Sequence, residues 1–248
     1  FDEPRHGRRR RRRRPPRRRP RLFVSGEPAD PERDLREAWR MNAANWTRAV
    51  REGRIESRET ATNAAIVAAV LAEAPSKVID LGCGEGWLSR DLRAKGVAHV
   101  IGVDASPELI AAAQSADPGG EYVAAAYDDL GKAIDLTKGR FDIACFNFAL
   151  LDSDAVTPLR AAAGLLETAG AILIQTVPPG AASAAEEGWR SEDFAAFGDG
   201  DWAPMPWFAR SMAGWRTAAA RAGLAVDGED IISGPDGPLS LLLTCRLG

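Results

Sequence analysis

The sequence predicts a doubly wound α/β domain built on a mainly parallel, seven-stranded sheet. Seven short apolar runs of strand length alternate with stretches whose apolar residues recur at helical spacing. This alternation is typical of helices that pack on both faces of a parallel sheet. Glycines also stand between helical stretches and the strands that follow, at positions where a left-handed C-cap favours glycine: Gly96, Gly170 and Gly223.

The predicted strands are residues 77–81, 97–103, 121–126, 141–148, 171–177, 224–232 and 239–246. The predicted helices between them are residues 87–95, 107–115, 155–168 and 208–222. Upstream, residues 31–74 predict two helices divided at Gly53, which would form a flank or lid. Residues 178–206 break the alternation with proline, glycine and acidic residues, and we predict an insertion there. Residues 75–248 are therefore expected to form one ligand-binding domain.

Charge is distributed unevenly along the chain. Residues 1–21 hold 12 of the 32 Lys and Arg residues, and the remaining 20 basic and 33 acidic residues give the rest a net charge of -13. An acidic body repels phosphate backbones, which favours a small-molecule partner and leaves nucleic-acid contact to the tail. The Arg/Pro-rich tail, residues 1–30, should be disordered. It is either a nucleic-acid or membrane-surface contact or the product of GC-rich coding sequence upstream of a true start.

Several classes of protein are disfavoured by the composition. No apolar run approaches the roughly 20 residues that cross a bilayer, so no membrane association is expected. The three cysteines are odd in number and widely spaced, which favours a reducing cytoplasm. No cluster shows metal-ligand spacing, so no metal site is predicted. The sequence carries no signal for an oligomeric state.

An acidic, glycine-rich segment follows the first predicted strand and opens a helix. Its sequence from Asp80 to Gly86 is DLGCGEG. Glycines there let a ligand approach the backbone near a positive helix end. A dinucleotide fingerprint requires glycine where this chain has Trp87, which disfavours NAD. The carboxylate of Asp80 suits a cationic ligand better than a pyrophosphate.

A second carboxylate is expected beside this loop. Asp104 ends the second predicted strand, 20 residues after Gly84. A carboxylate at that place can accept hydrogen bonds from both hydroxyls of a ribose. Ser106 and Pro107 then predict the N-cap and first turn of the next helix.

These residues resemble the class I S-adenosylmethionine-dependent methyltransferases, especially small bacterial enzymes that act on small molecules. The resemblance extends from about Trp39 to Leu247. It rests on the segments VIDLGCGEGWLSRDL, VIGVDASPELIAAA, AAAYDDL, FDIACFNFALLD and LLETAGAILIQTV. It implies a Rossmann-like sheet whose last strand is antiparallel, S-adenosylmethionine as cofactor, and methyl transfer to O or N of a small acceptor. Two alternatives stay open: an RNA or protein methyltransferase, which the arginine tail suggests, and a non-catalytic S-adenosylmethionine-binding protein.

The resemblance also implies a set of cofactor-binding residues. The set is Arg58, Asp80, Gly82, Cys83, Gly84, Asp104, Ala105, Ser106, Tyr127, Asp128 and Asn147. Within it the glycine-loop residues would line the methionine part, Asp104 would hold the ribose, and the residues after the second and third strands would edge the adenine. Asn147 would close the site near the reacting methyl group. Arg58 would either bind the cofactor carboxylate or be a solvated helix-face arginine.

The sequence assigns no clear catalytic base. Tyr127 and Asp152 are candidates by their place after predicted strands, with Asp154 nearby. Similar enzymes have a histidine just after the fifth strand, where this chain has Pro178. Trp207 and Arg210, before the last long helix, are candidates for the acceptor pocket.

Overall fold

The computed structural model describes residues 30–180 and 187–248, so the predicted tail up to residue 29 and residues 181–186 of the predicted insertion lie outside the described residues. The α-helices are α1 (Pro31–Arg51), α2 (Asn63–Ala72), α3 (Trp87–Ala94), α4 (Pro107–Ala116), α5 (Leu130–Ala133), α6 (Val156–Ala163) and α7 (Met212–Arg221). The strands are β1 (Lys77–Leu81), β2 (His99–Asp104), β3 (Glu121–Ala124), β4 (Phe141–Asn147), β5 (Leu166–Thr176), β6 (Gly188–Glu192), β7 (Met205–Ala209), β8 (Leu224–Gly234) and β9 (Gly237–Leu247). A π-helix, Arg58–Thr62, leads directly into α2.

Seven strands form one sheet in the order β3-β2-β1-β4-β5-β9-β8. The five strands from β3 to β5 are parallel to their neighbours, whereas β9 runs antiparallel to both β5 and β8. The predicted fold class is therefore confirmed, including the antiparallel last strand. The strand order reverses between β1 and β4, and ligands bind at such a point in open α/β sheets.

Helices cover both faces of this sheet. On one face, Ile66 and Val70 of α2 and Leu88 and Leu92 of α3 pack against β1, β4 and β5. On the other face, α5, α6 and α7 pack on the same strands through a larger apolar cluster that includes Leu159. Within the described residues no helix combines the length and the apolar composition needed to cross a membrane.

Some predicted boundaries are wrong. The sixth helix ends at Ala163 and β5 already begins at Leu166, where the sequence predicts helix up to residue 168. Gly170 consequently lies inside β5 and does not cap a helix, whereas Gly96 and Gly223 have the predicted left-handed conformation. Phe208 lies in β7, so the last long helix begins only at Met212.

The insertion is more regular than predicted, and it docks on α1. Its strands β6 and β7 pair antiparallel as a separate two-stranded sheet. Five rings from α1 and the insertion pack at centroid distances of 4.8–6.4 Å. This aromatic cluster consists of Trp39, Trp46, Phe194, Phe197 and Trp202. Edge-to-face aromatic pairs of this kind stabilise beyond the area that they bury. The cluster therefore joins two segments that are distant in sequence.

A buried asparagine adds a polar tie between α1 and the insertion. The side chain of Asn42 donates to the carbonyl of Ala203 at 2.8 Å and accepts from its amide at 2.8 Å. Asn45, one turn further on, makes only one such bond, to the carbonyl of Asp201.

We expect Asn42→Ala to lower the free energy of unfolding by about 2–4 kcal/mol, because two backbone groups lose their partner. Thermal denaturation measures this loss, and Asn45→Ala, as the control, should cost about half as much or less. Equal losses would contradict the assignment of Asn42 as the main tie.

Candidate functional site

The loop between β1 and α3 is held against the end of β2. The amides of Gly82 and Cys83 both donate to the carbonyl of Val103, at 2.7 and 3.0 Å. Three glycines of the loop, Gly82, Gly84 and Gly86, have positive φ angles of 76°, 58° and 83°. Side chains rarely adopt such angles, so this path of the backbone depends on glycine. The loop thus exposes its backbone at the carboxyl edge of the sheet, where the sequence placed the cofactor.

Asp104 lies beside this loop, at the end of β2. One carboxylate oxygen accepts from the amide of Gly84 at 2.9 Å, and the other accepts from the amide of Ser106 at 2.8 Å. A carboxylate can accept about four hydrogen bonds, so each oxygen keeps a lone pair for a further donor. Burial raises the pKa of Asp104, while the two amide bonds oppose the shift. A vicinal diol, with two hydroxyl donors, matches these two acceptor positions.

Asp80 is buried beneath the loop. Its carboxylate accepts a hydrogen bond from the hydroxyl of Ser89, at 2.8 Å, and is 1% exposed. Burial raises the pKa of Asp80 to about 7, against the opposing effect of the Ser89 bond. A positive charge placed near this carboxylate would favour its ionised form.

The raised pKa of Asp80 predicts a pH-dependent loss of stability. The unfolded chain ionises Asp80 near pH 4 and the folded chain near pH 7, so its burial destabilises the fold increasingly as the pH rises between these values. Above pH 7 both states are ionised and the cost is constant. We expect the unfolding free energy of Asp80→Asn, relative to the unchanged protein, to rise by roughly 2–3 kcal/mol between pH 5 and 7.5. Urea titrations across this range measure the difference, and a flat difference would contradict the shift.

Cys83 is shielded inside the loop. Burial, followed by the charge of Asp80, raises the pKa of its thiol well above the usual value. A protonated and buried thiol is a poor nucleophile, so Cys83 contributes its backbone position to the site.

A buried ion-pair cluster, which the sequence did not predict, connects the loop to α1. The side chain of Glu85 has no exposed surface and binds Arg51 at 2.9 Å and Arg90 at 2.8 Å. The guanidinium of Arg51 also donates to the carbonyl of Ala112 in α4, at 2.9 Å. The indole nitrogen of Trp46 lies 3.7 Å from the place that a Cβ on Gly84 would occupy. Helix α1 therefore packs directly against the loop. The only signal in the sequence was the position of Glu85 between two glycines of the loop.

Tyr127 also lies against the loop. Its hydroxyl is 2.9 Å from the position of a Cβ on Gly82 and donates to the carbonyl of Ala149 at 3.4 Å. Burial raises its pKa, so the phenol stays protonated at neutral pH. Tyr127 is thus placed at the site but is poorly suited to act as a base. Asp128 is exposed.

Ala105 and Ser106 begin the segment after Asp104. Ala105 is exposed, and Ser106 caps α4 by accepting from the amide of Leu109 at 3.2 Å. The hydroxyl of Ser106 also donates to Glu108 at 3.0 Å. Its side chain is therefore engaged in the helix cap, and its amide, bound to Asp104, is what connects it to the site.

Two further predicted cofactor residues are Arg58, which is buried, and Asn147, which is partly buried. Arg58 is 7% exposed, and its guanidinium lies over the rings of Trp46 and Trp87 at 5.7 and 4.8 Å. Burial lowers its pKa to about 10, which leaves it charged at neutral pH. It is not a solvated helix-face arginine. The side-chain oxygen of Asn147, at the end of β4, is buried without a hydrogen-bond partner in the described structure.

Asp152, a second candidate base, contacts Arg210, a candidate for the acceptor pocket. Asp152 accepts from the amide of Ser153 at 2.6 Å, and burial raises its pKa. The guanidinium of Arg210 donates to the carbonyls of Asp152 and Ser153, at 3.2 and 2.8 Å, and lies over Phe208 and Trp215. Arg210 thus fixes the loop after β4. Trp207 is partly buried against an apolar cluster that includes Leu35, Leu151 and Met205.

Comparisons with known proteins agree with this geometry. Residues 78–170 match the family model of a methyltransferase domain. A search of curated proteins gave no match.

Solved structures with a similar fold cover most of the chain. An S-adenosylmethionine-dependent methyltransferase from Mesorhizobium loti is 24% identical, with a TM-score of 0.55, and the match covers 72% of this chain and 95% of that one. The 1,6-didemethyltoxoflavin-N1-methyltransferase from Burkholderia thailandensis is 22% identical, with a TM-score of 0.62 and coverages of 90% and 93%. The magnesium protoporphyrin IX methyltransferase from Synechocystis PCC 6803 is 16% identical, with a TM-score of 0.52 and coverages of 91% and 87%. The chain is therefore similar to S-adenosylmethionine-dependent methyltransferases in its fold, and residues 78–170 match a methyltransferase domain.

Proposed function

We propose that this protein transfers the methyl group of S-adenosylmethionine to an oxygen or nitrogen of a small-molecule acceptor. The observation that carries the proposal is the pairing of the glycine loop with Asp104. That carboxylate is held by the amides of Gly84 and Ser106 and keeps one acceptor position on each oxygen. A ribose with two free hydroxyls matches this arrangement, and the loop beside it lets the rest of a nucleoside ligand approach the backbone.

Each proposed cofactor residue is assigned to one part of the ligand. Arg58 would bind the carboxylate at the amino-acid end, Asp104 would bind the ribose, and Asn147 would close the site near the reacting methyl group. The loop residues Asp80, Gly82, Cys83 and Gly84 would line the methionine part, whereas Ala105, Ser106, Tyr127 and Asp128 would edge the adenine. We assign this binding to a domain of residues 75–248, flanked by helices of residues 31–74.

The chain's own residues would contribute mainly position and exclusion of water. S-adenosylmethionine, when bound, supplies a methyl group on a sulfonium that an acceptor displaces in line. Trp46 lies against Gly84 and Tyr127 lies against Gly82, so both would shield the reacting atoms. Burial keeps the Tyr127 phenol protonated at neutral pH, so Tyr127 is poorly suited to take a proton from the acceptor. Rate enhancement would therefore depend on orientation.

A small-molecule acceptor is supported by charge and by likeness. The chain beyond residue 21 has a net charge of -13, which disfavours nucleic acid. The Burkholderia thailandensis enzyme, an N1-methyltransferase solved with 1,6-didemethyltoxoflavin and S-adenosylhomocysteine, matches over 90% of this chain. We also propose a cytoplasmic location, because the three cysteines are free and buried, as a reducing compartment allows.

Isothermal titration with S-adenosylhomocysteine tests the cofactor, and we expect a single site per chain. No heat and no thermal shift at millimolar ligand would contradict the proposal. Incubation with methyl-labelled S-adenosylmethionine and a fractionated metabolite extract then tests transfer. Label in a small-molecule fraction supports the proposal, whereas binding without transfer to any fraction would indicate a non-catalytic binding protein.

A further inference from the structure

Four buried side-chain atoms have no hydrogen-bond partner in the part of the chain that the structure describes. They are one terminal nitrogen of Arg58, the hydroxyl of Thr62, the carbonyl oxygen of Asn147 and the carbonyl oxygen of Gln175. Proteins satisfy the large majority of buried polar groups, because each unsatisfied one costs stability. Four such atoms therefore call for a common explanation.

All four atoms lie on the same side of the sheet. Asn147 and Gln175 are directly paired across β4 and β5, so their side chains are neighbours on adjacent strands about 4.8 Å apart. Cys145 lies two residues before Asn147 on β4, so the two side chains are on the same face of the sheet. The side chain of Cys145 packs on the face that α2 and α3 cover. Arg58 and Thr62 belong to the π-helix, which leads into α2 and contacts β8 and β9 beside β5.

The free end of Gln175 is its carbonyl oxygen. Its amide nitrogen donates to the hydroxyl of Ser240 at 3.0 Å, and both side chains are buried. This bond leaves the oxygen as an acceptor, on the residue that pairs in register with Asn147, whose own oxygen is also unpaired. Two adjacent amide oxygens accept hydrogen bonds but cannot donate to each other, so a group with several N–H donors suits them both.

The free end of Arg58 has the opposite character. Its Nε donates to Asn63 at 3.2 Å, and the rings of Trp46 and Trp87 hold the guanidinium plane. One terminal nitrogen remains unpaired and carries positive charge in a buried setting. Thr62 lies one turn further along the same helix and can donate through its hydroxyl. These two groups suit an anion.

We propose that Thr62, Asn147 and Gln175 join Arg58 in binding the zwitterionic amino-acid end of S-adenosylmethionine. The carboxylate binds Arg58 and Thr62, and the ammonium lies between the amide oxygens of Asn147 and Gln175. This inference rests on the proposed function and adds two residues to the site, one on the π-helix and one on β5. It gives the four unpaired atoms one ligand of matching charge.

The test compares three ligands by isothermal titration on the full chain: S-adenosylhomocysteine, its analogue without the amino group and its analogue without the carboxylate. Gln175→Leu should weaken S-adenosylhomocysteine about tenfold and leave the deaminated analogue within twofold of its affinity for the unchanged protein. Thr62→Val should weaken S-adenosylhomocysteine and the deaminated analogue several-fold but not the decarboxylated one. Matched controls are Gln114→Leu on α4 and Thr60→Val on the same π-helix, where the hydroxyl already donates to Glu56.

A second variant keeps the inference testable if Gln175→Leu does not fold. Gln175→Glu preserves the volume and places a negative charge beside the ammonium, so it should raise the preference for S-adenosylhomocysteine over the deaminated analogue. Equal losses for all three ligands, or none, in folded variants would show that Thr62 and Gln175 are structural and would overturn the inference. Absence of S-adenosylhomocysteine binding by the unchanged protein would instead overturn the proposed function itself.

Discussion

Replacing Asp104 with alanine is expected to lower the affinity for S-adenosylhomocysteine by about 100-fold. Each of the two oxygens would lose a hydrogen bond to a ribose hydroxyl, and a bond to a charged acceptor contributes about 1.5 kcal/mol or more. The same change frees the amides of Gly84 and Ser106, which Asp104 now holds. Isothermal titration measures the loss of affinity, and thermal denaturation shows whether the loop still folds.

Two further variants separate ribose binding from loop stability. Asp104→Asn retains one acceptor oxygen for an amide or a hydroxyl, so its loss should be smaller, about tenfold. Asp135→Ala removes an exposed carboxylate that caps a short turn after α5 and should leave the affinity unchanged. If Asp104→Ala binds S-adenosylhomocysteine as tightly as Asp135→Ala does, the ribose is held elsewhere.

Gly86→Ala, in the loop between β1 and α3, is expected to lower the free energy of unfolding by about 3–4 kcal/mol. Its φ angle is 83°, and an added Cβ would lie 2.7 Å from a ring carbon of Tyr122 and 2.9 Å from the Cβ of Ala113. Strain of the left-handed conformation contributes about 1 kcal/mol, and overpacking contributes the rest. Denaturant unfolding gives the difference directly.

Gly96 provides the matched control for this prediction. It follows α3 with a φ angle of 95°, but no heavy atom lies within 4 Å of the place that a Cβ would occupy. Gly96→Ala should therefore cost only about 1 kcal/mol, the strain term alone. A similar loss for Gly86 and Gly96 would mean that the packing of α4 and β3 against the loop is looser than the structure shows.

Elements with a strong local pattern could be predicted from the sequence. The run 77–81 matches β1 residue for residue, and Ser106 caps α4 as its position before Pro107 indicated. Such elements bury an apolar run or carry their own cap, so local sequence is enough to define them. The seven-stranded sheet followed from these runs and from the family resemblance.

Elements defined by tertiary contacts could not be predicted. The strands β6 and β7 lack regular alternation, and they form because β7 packs on α1 and pairs with β6. The early start of β5 has a similar origin, since Leu166 pairs with Phe141 across an irregular register. Local propensity carries no information about such partners.

The candidate site shows the same division. The positions of Asp80 and Asp104 at strand ends followed from spacing, because strand and loop lengths determine them. The burial of Glu85 against Arg51 did not, since it depends on how α1 crosses the loop. The environment of Arg58 between two tryptophans depends on the same crossing.

The tie between α1 and the insertion has a consequence for engineering and for divergence within this fold. Asn42 and the aromatic cluster bind residues 31–51 to residues 187–209, although some 135 positions separate them in the chain. A change of acceptor made by grafting only one of these segments would leave unmatched rings and a buried asparagine without its backbone partner. The two segments are therefore a unit of exchange, to be transplanted together or left in place.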